Sequence, residues 1–284
     1  MVNSHSEFAD TDWASKAGGK LLVYKGSLLK QSLDRDAVAK YVRQRGALGA
    51  MWTYDYGCCQ EGPWYRYICD TPGYGIDKIK SKNSRYYVRR SLKNCIVRAV
   101  DYEWLADNGY EVYISAASRY SYFTAVSMGD FAKEMREYSR QPGREAMGVF
   151  VDGKLAAFAT LRICEKSVRI YGSQFDPAYS KDYPMYALYY TIAHHYLKER
   201  GYQEADNGCR ALRHDTNIGD FLLRLGWRKQ YCRLGLYLRW PVRIVLWAAG
   251  IFRPLCKLVL PSQEYASLES LLAAQDIAKA TKEG

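Results

Sequence analysis

The chain has 284 residues, 48% hydrophobic and 25% charged. That balance excludes a disordered chain and suffices for one large α/β core or two unequal lobes. The formal net charge of +11 points to an anionic partner (nucleic acid, nucleotide, acyl-CoA or an anionic membrane face) without choosing among them, and a merely soluble basic protein has the same signature.

Residues 1–20 are polar and carry no apolar stretch of the kind that forms the core of a secretory signal, so a cytosolic chain is expected. Eight cysteines include no C-x-x-C pair, and the vicinal Cys58 and Cys59 make poor bridge geometry. Reduced thiols and no structural metal are therefore expected. Leu21 to Lys25 reads as a strand, and Ser32 reads as the N-cap of the helix that follows. Ala47–Tyr56 and Trp64–Cys69 are rich in aromatic and β-branched residues and read as strands joined by the turn-like Gly57–Pro63. The Pro- and Gly-bearing TPGYGIDK, Thr71 to Lys78, then closes a small N-terminal α/β lobe over 21–78.

Ser81 opens a basic amphipathic helix with Val88, Leu92 and Cys95 on one face. Lys82, Arg85, Arg89, Arg90 and Lys93 form a cationic stripe on it, suited to phosphate contact or simply to water, with Tyr86 and Tyr87 available to stack on bases. A strand over Ile96–Val100 precedes a helix from Tyr102 and another over Met128–Ser139. Three antiparallel strands follow, AMGVFV, KLAAFATLRI and SVRIYGSQF. Asp152-Gly153 between the first two permits the positive φ angles of a tight hairpin. Tyr183–Arg200 reads as one long crossover helix ending at Gly201. A short strand at Gln203–Asp206, the polar run DNGCRALRHDTN, a helix IGDFLLRLGW and one strand KQYCRLGLYLRW complete a mixed-sheet α/β sandwich over 79–240. The remaining residues, 241–284, read as an apolar, basic-flanked helix followed, after Pro261, by an Ala-rich, charged tail open to reading as a loosely docked helix.

Three phrases carry a family resemblance: GVFVDGKLAAFATL, DFLLRLGWRKQY and the basic SRYYVRRSLKNCIV. The first two resemble the central hairpin and late helix of the GNAT acyltransferase superfamily. The third resembles the branch holding the Fem peptidoglycan aminoacyltransferases and their polysaccharide-associated relatives. The resemblance implies a GNAT-like αβ sandwich transferring an acyl or aminoacyl group to an amine or hydroxyl. Most GNAT enzymes hold the CoA pyrophosphate with a glycine-rich loop before the crossover helix. This chain has DPAYSKDYPMYAL there, without glycine and with Pro184 removing an amide donor. Acyl-CoA and aminoacyl-tRNA both stay open as donors.

Acyl transfer needs a base and a polarising group. The connection after the late strand lies at a strand's carboxyl end, where open α/β sheets bind ligands. His214 is the candidate base because its ordinary pKa lies near neutrality, with Asp215 its orienter or a helix cap. Tyr231, like Tyr237, is a candidate proton donor. Asn207, Cys209, Arg210, Arg213 and Asn217 are candidate substrate contacts, and Cys209 is also open to reading as a nucleophile. His194 and His195 in the crossover helix read as packing residues, one inward and one outward. VRIVLWAAGIF after Pro241 is too short to span a membrane but fits an anionic bilayer surface through 241–258, or packing against the sheet or a second copy. A GNAT-like module that binds tRNA or membrane and catalyses nothing is the non-enzyme reading.

Overall fold

The computed structural model describes residues 12–16, 19–26, 28–118, 125–212 and 217–282. Strands β1 (Trp13–Lys16) and β2 (Leu21–Tyr24) open it. Trp13 lies in the stretch expected to be a polar tail, yet its ring is buried against Tyr24 and Tyr41. Helix α1 (Arg35–Gln44) is capped by Asp34, whose carboxylate accepts the Asp36 and Ala37 amides, and not by Ser32. Ser32 Oγ instead accepts the Trp52 indole N–H. β3 (Gly49–Tyr54) and β4 (Tyr65–Cys69) follow as the aromatic content predicts.

Helix α2 (Lys82–Asn94) starts at Ser81, whose hydroxyl accepts the Ser84 amide. Its buried face is Ser84, Val88 and Ser91, continued by Cys95, while Leu92 stays exposed. Burying two small hydroxyls in place of a leucine lets the helix approach closely, and the Ser91 hydroxyl is satisfied by the Val88 carbonyl. β5 (Ile96–Ala99) leads to α3 (Tyr102–Asn108) and α4 (Tyr110–Ala117), which the sequence reads as one helix. The break falls at Gly109, where a Cβ would stand 3.2 Å from the Phe131 ring. α5 (Met128–Ser139) is capped by Ser127. β6 (Arg144–Val151), β7 (Lys154–Cys164) and β8 (Ser167–Phe175) form the expected meander, and Asp152 and Gly153 take φ angles of 48° and 77° in its first turn.

Helix α6 (Pro184–His194) continues into a π-helical turn, His195–Glu199, so the crossover is one helix with a widened last turn. The widening brings both His194 Nδ1 and His195 Nδ1 to Glu199, at 3.2 and 2.6 Å. The two histidines are half-buried alike, where the sequence predicts one in and one out. β9 (Glu204–Cys209) runs three residues further than expected, and α7 (Asn217–Arg224) follows. The predicted strand KQYCRLGLYLRW divides at Cys232 into β10 (Arg228–Tyr231) and β11 (Arg233–Leu238), which join different sheets. Helices α8 (Trp240–Ile251), α9 (Arg253–Val259) and α10 (Ser262–Ala280) complete the chain.

These elements form two compact units with bounds other than the lobes read from the sequence. The first unit holds residues 1–66, 209–216 and 230–284, so the C-terminal region belongs with the N-terminal strands. Its sheet has the order β1-β2-β3-β11, parallel only between β2 and β3. Val38, Tyr41 and Trp52 build one core, and Trp64, Leu234, Ala274 and Ile277 another beneath α10, which is firmly docked. The second unit holds residues 67–208 and 217–229 and is built on the sheet ordered β10-β4-β9-β8-β7-β6-β5. One core joins the sheet to α2, α6 and α7 through Val88, Leu161, Leu188, Ile192 and Leu222. A second joins it to α3, α4 and α5 through Leu105, Phe131 and Phe158, giving the sandwich anticipated from the sequence.

Candidate functional site

Within the second unit the sheet opens between β8 and β9. β8 and β9 run parallel for three rungs only, Ser167/Glu204, Val168/Ala205 and Arg169/Asp206. The last rung is locked by an ion pair whose carboxylate is buried: half-buried Arg169 donates from Nε to Asp206 Oδ2 at 2.8 Å, and Asp206 Oδ1 accepts the Gly208 amide at 2.7 Å. A buried carboxylate is tolerated only when it is matched this fully. Beyond that rung β8 runs on to Phe175 and β9 to Cys209 with no further pairing between them. The strands therefore part as a fork beyond Arg169/Asp206.

A bulge sets what lines this fork. Thr160 pairs with Gly172 and Leu161 with Ile170, leaving Tyr171 as an extra residue in β8. The extra residue reverses the in-out alternation, so that Ser173 rather than Gln174 follows Val168 and Ile170 onto the α6 face. There the Ser173 hydroxyl lies 3.0 Å from Tyr189 Oη, and Tyr189 donates to Asn207 Oδ1 at 2.8 Å. One phenol on α6 thus links a β8 hydroxyl to a β9 amide across the fork. Tyr189 is 1% exposed. Burial pushes its pKa up to about 12, against a smaller opposing pull from the Ser173 bond, so it stays protonated through neutral pH.

At the start of α6, Tyr183 adopts a left-handed φ of 56° and Pro184 occupies the first turn. Its ring lies 4.5 Å from Tyr87 of α2, and Arg90 sits over it at 5.4 Å. Lys82, Arg89, Arg90 and Lys93 are exposed on α2, whereas Arg85 is turned inward to the Ile79 and Lys80 carbonyls at 2.6 and 2.9 Å. Four of the five predicted cations thus stay available to an anion, and the fifth staples the helix start.

Of the polar run, Arg213, His214 and Asp215 lie outside the described residues. Asn207 lines the fork, and Asn217 is the exposed first residue of α7. The others belong to the first unit. Cys209 lies 3.6 Å from Thr53 Oγ1, and the neighbouring Cys232 thiol is raised by the hydrogen bond it donates to Cys209 and by burial. Arg210 donates to the Pro63 carbonyl at 3.1 Å. Tyr231 packs edge-on against Tyr65, 5.5 Å between ring centroids.

Tyr189 and Ser173 escape a reading of the sequence because nothing local marks them. Tyr189 is one of 26 tyrosines in an otherwise apolar helix, and Ser173 owes its direction to a bulge. The one available signal is the polar-capable pair Tyr189-Tyr190 inside the apolar run of α6.

No family model matches the chain, and no curated protein matches it. Among solved structures, FemX aligns over 87% of this chain and 85% of its own, at 11% identity and a TM-score of 0.53. The C-terminal domain (DUF2156) of a protein described as a lysylphosphatidylglycerol synthetase, from Agrobacterium fabrum, aligns over 82% of each chain at 15% identity and a TM-score of 0.49. L-PGS from Bacillus licheniformis aligns over 83% of this chain and 84% of its own, at 15% identity and 0.48. The likeness to FemX is one of fold: the chain has a GNAT-like α/β architecture.

Proposed function

We propose that this chain transfers an acyl or aminoacyl group to an amine or hydroxyl acceptor by direct attack in a ternary complex at the β8/β9 fork. The observation that carries this reading is the fork itself: β8 and β9 pair only as far as Arg169/Asp206, and a buried phenol ties Ser173 to Asn207 where they part. In the proposed complex the donor's carbonyl lies where the strands part, and hydrogen-bond donors there meet the oxygen that gains charge as the carbon turns tetrahedral. For an amine acceptor, its nitrogen attacks that carbon, the C–N bond forms, and the bond to the donor's oxygen or sulfur breaks. The attacking nitrogen's proton passes to a base and on to the leaving oxygen or sulfur, and His214, next to Asp215 in the sequence, is the base proposed from the sequence alone. Tyr189 holds the fork's polar groups in register.

Two observations favour aminoacyl-tRNA over acyl-CoA as donor. The start of α6 has no glycine and lacks one amide at Pro184, which weakens pyrophosphate binding. The exposed cations of α2, beside the stacked Tyr87 and Tyr183, suit a longer polyanion whose bases stack. Thermal-shift measurements with charged tRNA and with CoA thioesters separate the donors. Stabilisation by charged tRNA that fades as salt rises is the expected result. Protection by a CoA thioester alone moves the reading to an ordinary acyl-CoA enzyme, and no response to either removes transfer altogether. Unchanged turnover in His214→Ala takes His214 out of the mechanism.

A further inference from the structure

The first unit carries an apolar surface that transfer chemistry does not use. α8 buries Leu246 and Ala249, with Val242 partly covered, and these join Leu268, Leu271 and Leu272 of α10 in one cluster. Its opposite side faces water: Trp240, Ile244, Trp247 and Ile251 recur at i, i+4, i+7 and i+11, one stripe of the helix, with Trp247 69% exposed. α9 adds Leu255, Leu258 and Val259, with Leu258 83% exposed. Contiguous apolar surface of this kind marks a docking face rather than ordinary solvent-facing structure.

Charge around this face selects what covers it. From Arg239 to Leu260 the chain has Arg239, Arg243, Arg253 and Lys257 and no carboxylate. Arg253 shares its charge with Glu269 and Asp276 of α10, at 4.0 and 3.7 Å. In the same unit a cavity of about 140 Å³ is lined by Arg35, Arg243, Lys279 and Lys282 over the apolar floor of Leu236 and Leu238, with no acidic residue in its wall. Like charges around one cavity repel unless an anion enters. Arg243 belongs both to the cavity and to the helix that carries the stripe.

We propose that α8 and α9 dock this chain on a bilayer rich in anionic phospholipid, with the Trp/Ile stripe entering the acyl boundary and a headgroup phosphate seated in the cationic cavity. A second copy of the chain would bring its own cations against these. An anionic bilayer instead supplies negative charge at the rim and hydrocarbon at the centre. The tryptophans suit the headgroup boundary, where an amphipathic ring is wetted on one side. Twelve residues of α8 rise about 18 Å, short of the hydrocarbon core of about 30 Å, so the helix lies in the surface. Among the described residues no helix is long and apolar enough to cross a membrane. The inference stands apart from the transfer reaction, since it concerns where the chain works and not what it transfers.

The test is flotation of the full chain with vesicles of phosphatidylcholine alone and of phosphatidylcholine mixed with phosphatidylserine, with tryptophan emission followed in parallel. Binding to the anionic vesicles only is expected, with a blue shift and a loss of binding at high salt. Trp247→Glu with Leu258→Glu should abolish flotation while the melting temperature holds. Arg243→Ala and Lys279→Ala should each weaken anionic binding by about fivefold. Equal binding to both vesicles, or to neither, overturns the proposal. So does a concentration-dependent dimer that the double glutamate variant dissociates, which gives the face to a second copy. Protection of the cavity by inorganic phosphate without vesicle binding assigns it to a free anion and removes the lipid.

Discussion

Helices α6 and α8 are 11 and 12 residues long, each has proline in its first turn, and neither holds more than one formal charge. Yet α6 buries seven of its residues and α8 two. α6 runs over the sheet of the second unit, with α2 and α7 joining the same core, so its apolar residues are met nearly all round. α8 is covered on one side only, by α10 and by Leu236 and Leu238 of β11. Apolar content makes a helix seek cover, but the number of neighbouring elements decides how much of that cover the protein itself supplies. What remains uncovered on α8 is surface for a partner, and what is covered on α6 is stability.

Four substitutions bear on this contrast, from the largest expected effect to the smallest. Leu188→Ala on α6 leaves a cavity in a site with no exposure and should cost about 2–5 kcal/mol in chemical denaturation. A loss near zero would mean that α6 is covered as loosely as α8. Tyr189→Phe keeps the ring and removes the hydroxyl between Ser173 and Asn207. It should cost roughly 1 kcal/mol and lower transfer activity more than it lowers stability, because the fork loses its cross-link. Equal activity in the two proteins would reduce Tyr189 to a packing residue.

Glu145→Gln acts at the far end of the crossover. Burial alone would raise the Glu145 pKa, but hydrogen bonds from Tyr196 and Arg200 outweigh it and hold the carboxyl below its ordinary value. Its contribution is therefore present above the ordinary carboxylate range and lost as pH falls through the depressed value. The pair is partly solvated, so the effect should stay under about 1 kcal/mol. Melting curves of the wild type and the Gln variant should converge in acid, and parallel acid limbs would show that the bond contributes nothing. Trp247→Ser on α8 should change stability by no more than about 0.5 kcal/mol, the opposite of Leu188→Ala despite the larger side chain removed. A clear drop in melting temperature there would mean that the exposed stripe supports the fold.

Much of the fold was legible because it rests on near neighbours. Ser81 caps α2 as read, through a bond to an amide three residues on. Asp152-Gly153 turns the hairpin because two consecutive residues accept positive φ. Where competing partners are distant, local reading loses. Asp34 displaces Ser32 as a cap because Ser32 is taken by Trp52, twenty residues away. Leu92 is left outside because the contact α2 makes needs the smaller Ser84 and Ser91. The candidate site was less legible than the fold. Asn207 was singled out and lies in the fork, and His214, Asp215 and Arg213 fall outside the described residues. Tyr189 and Ser173 could not be found from spacing, since 16 residues and a strand-to-helix crossover separate them.

The sequence by itself determined α2, α5, α6 and α7, the meander, the absence of a glycine-rich phosphate loop and the cationic, aromatic character of α2, all of which depend on contacts within a few residues. Only the tertiary structure decided that one predicted strand splits at Cys232 between two sheets and that the C-terminal helices join the N-terminal strands. It also decided that β8 and β9 part after three rungs, and that α8 keeps an open face. The physical reason is the same in each case: burial and strand pairing are properties of whichever segment arrives from elsewhere in the chain, and a residue's own neighbours do not specify that segment.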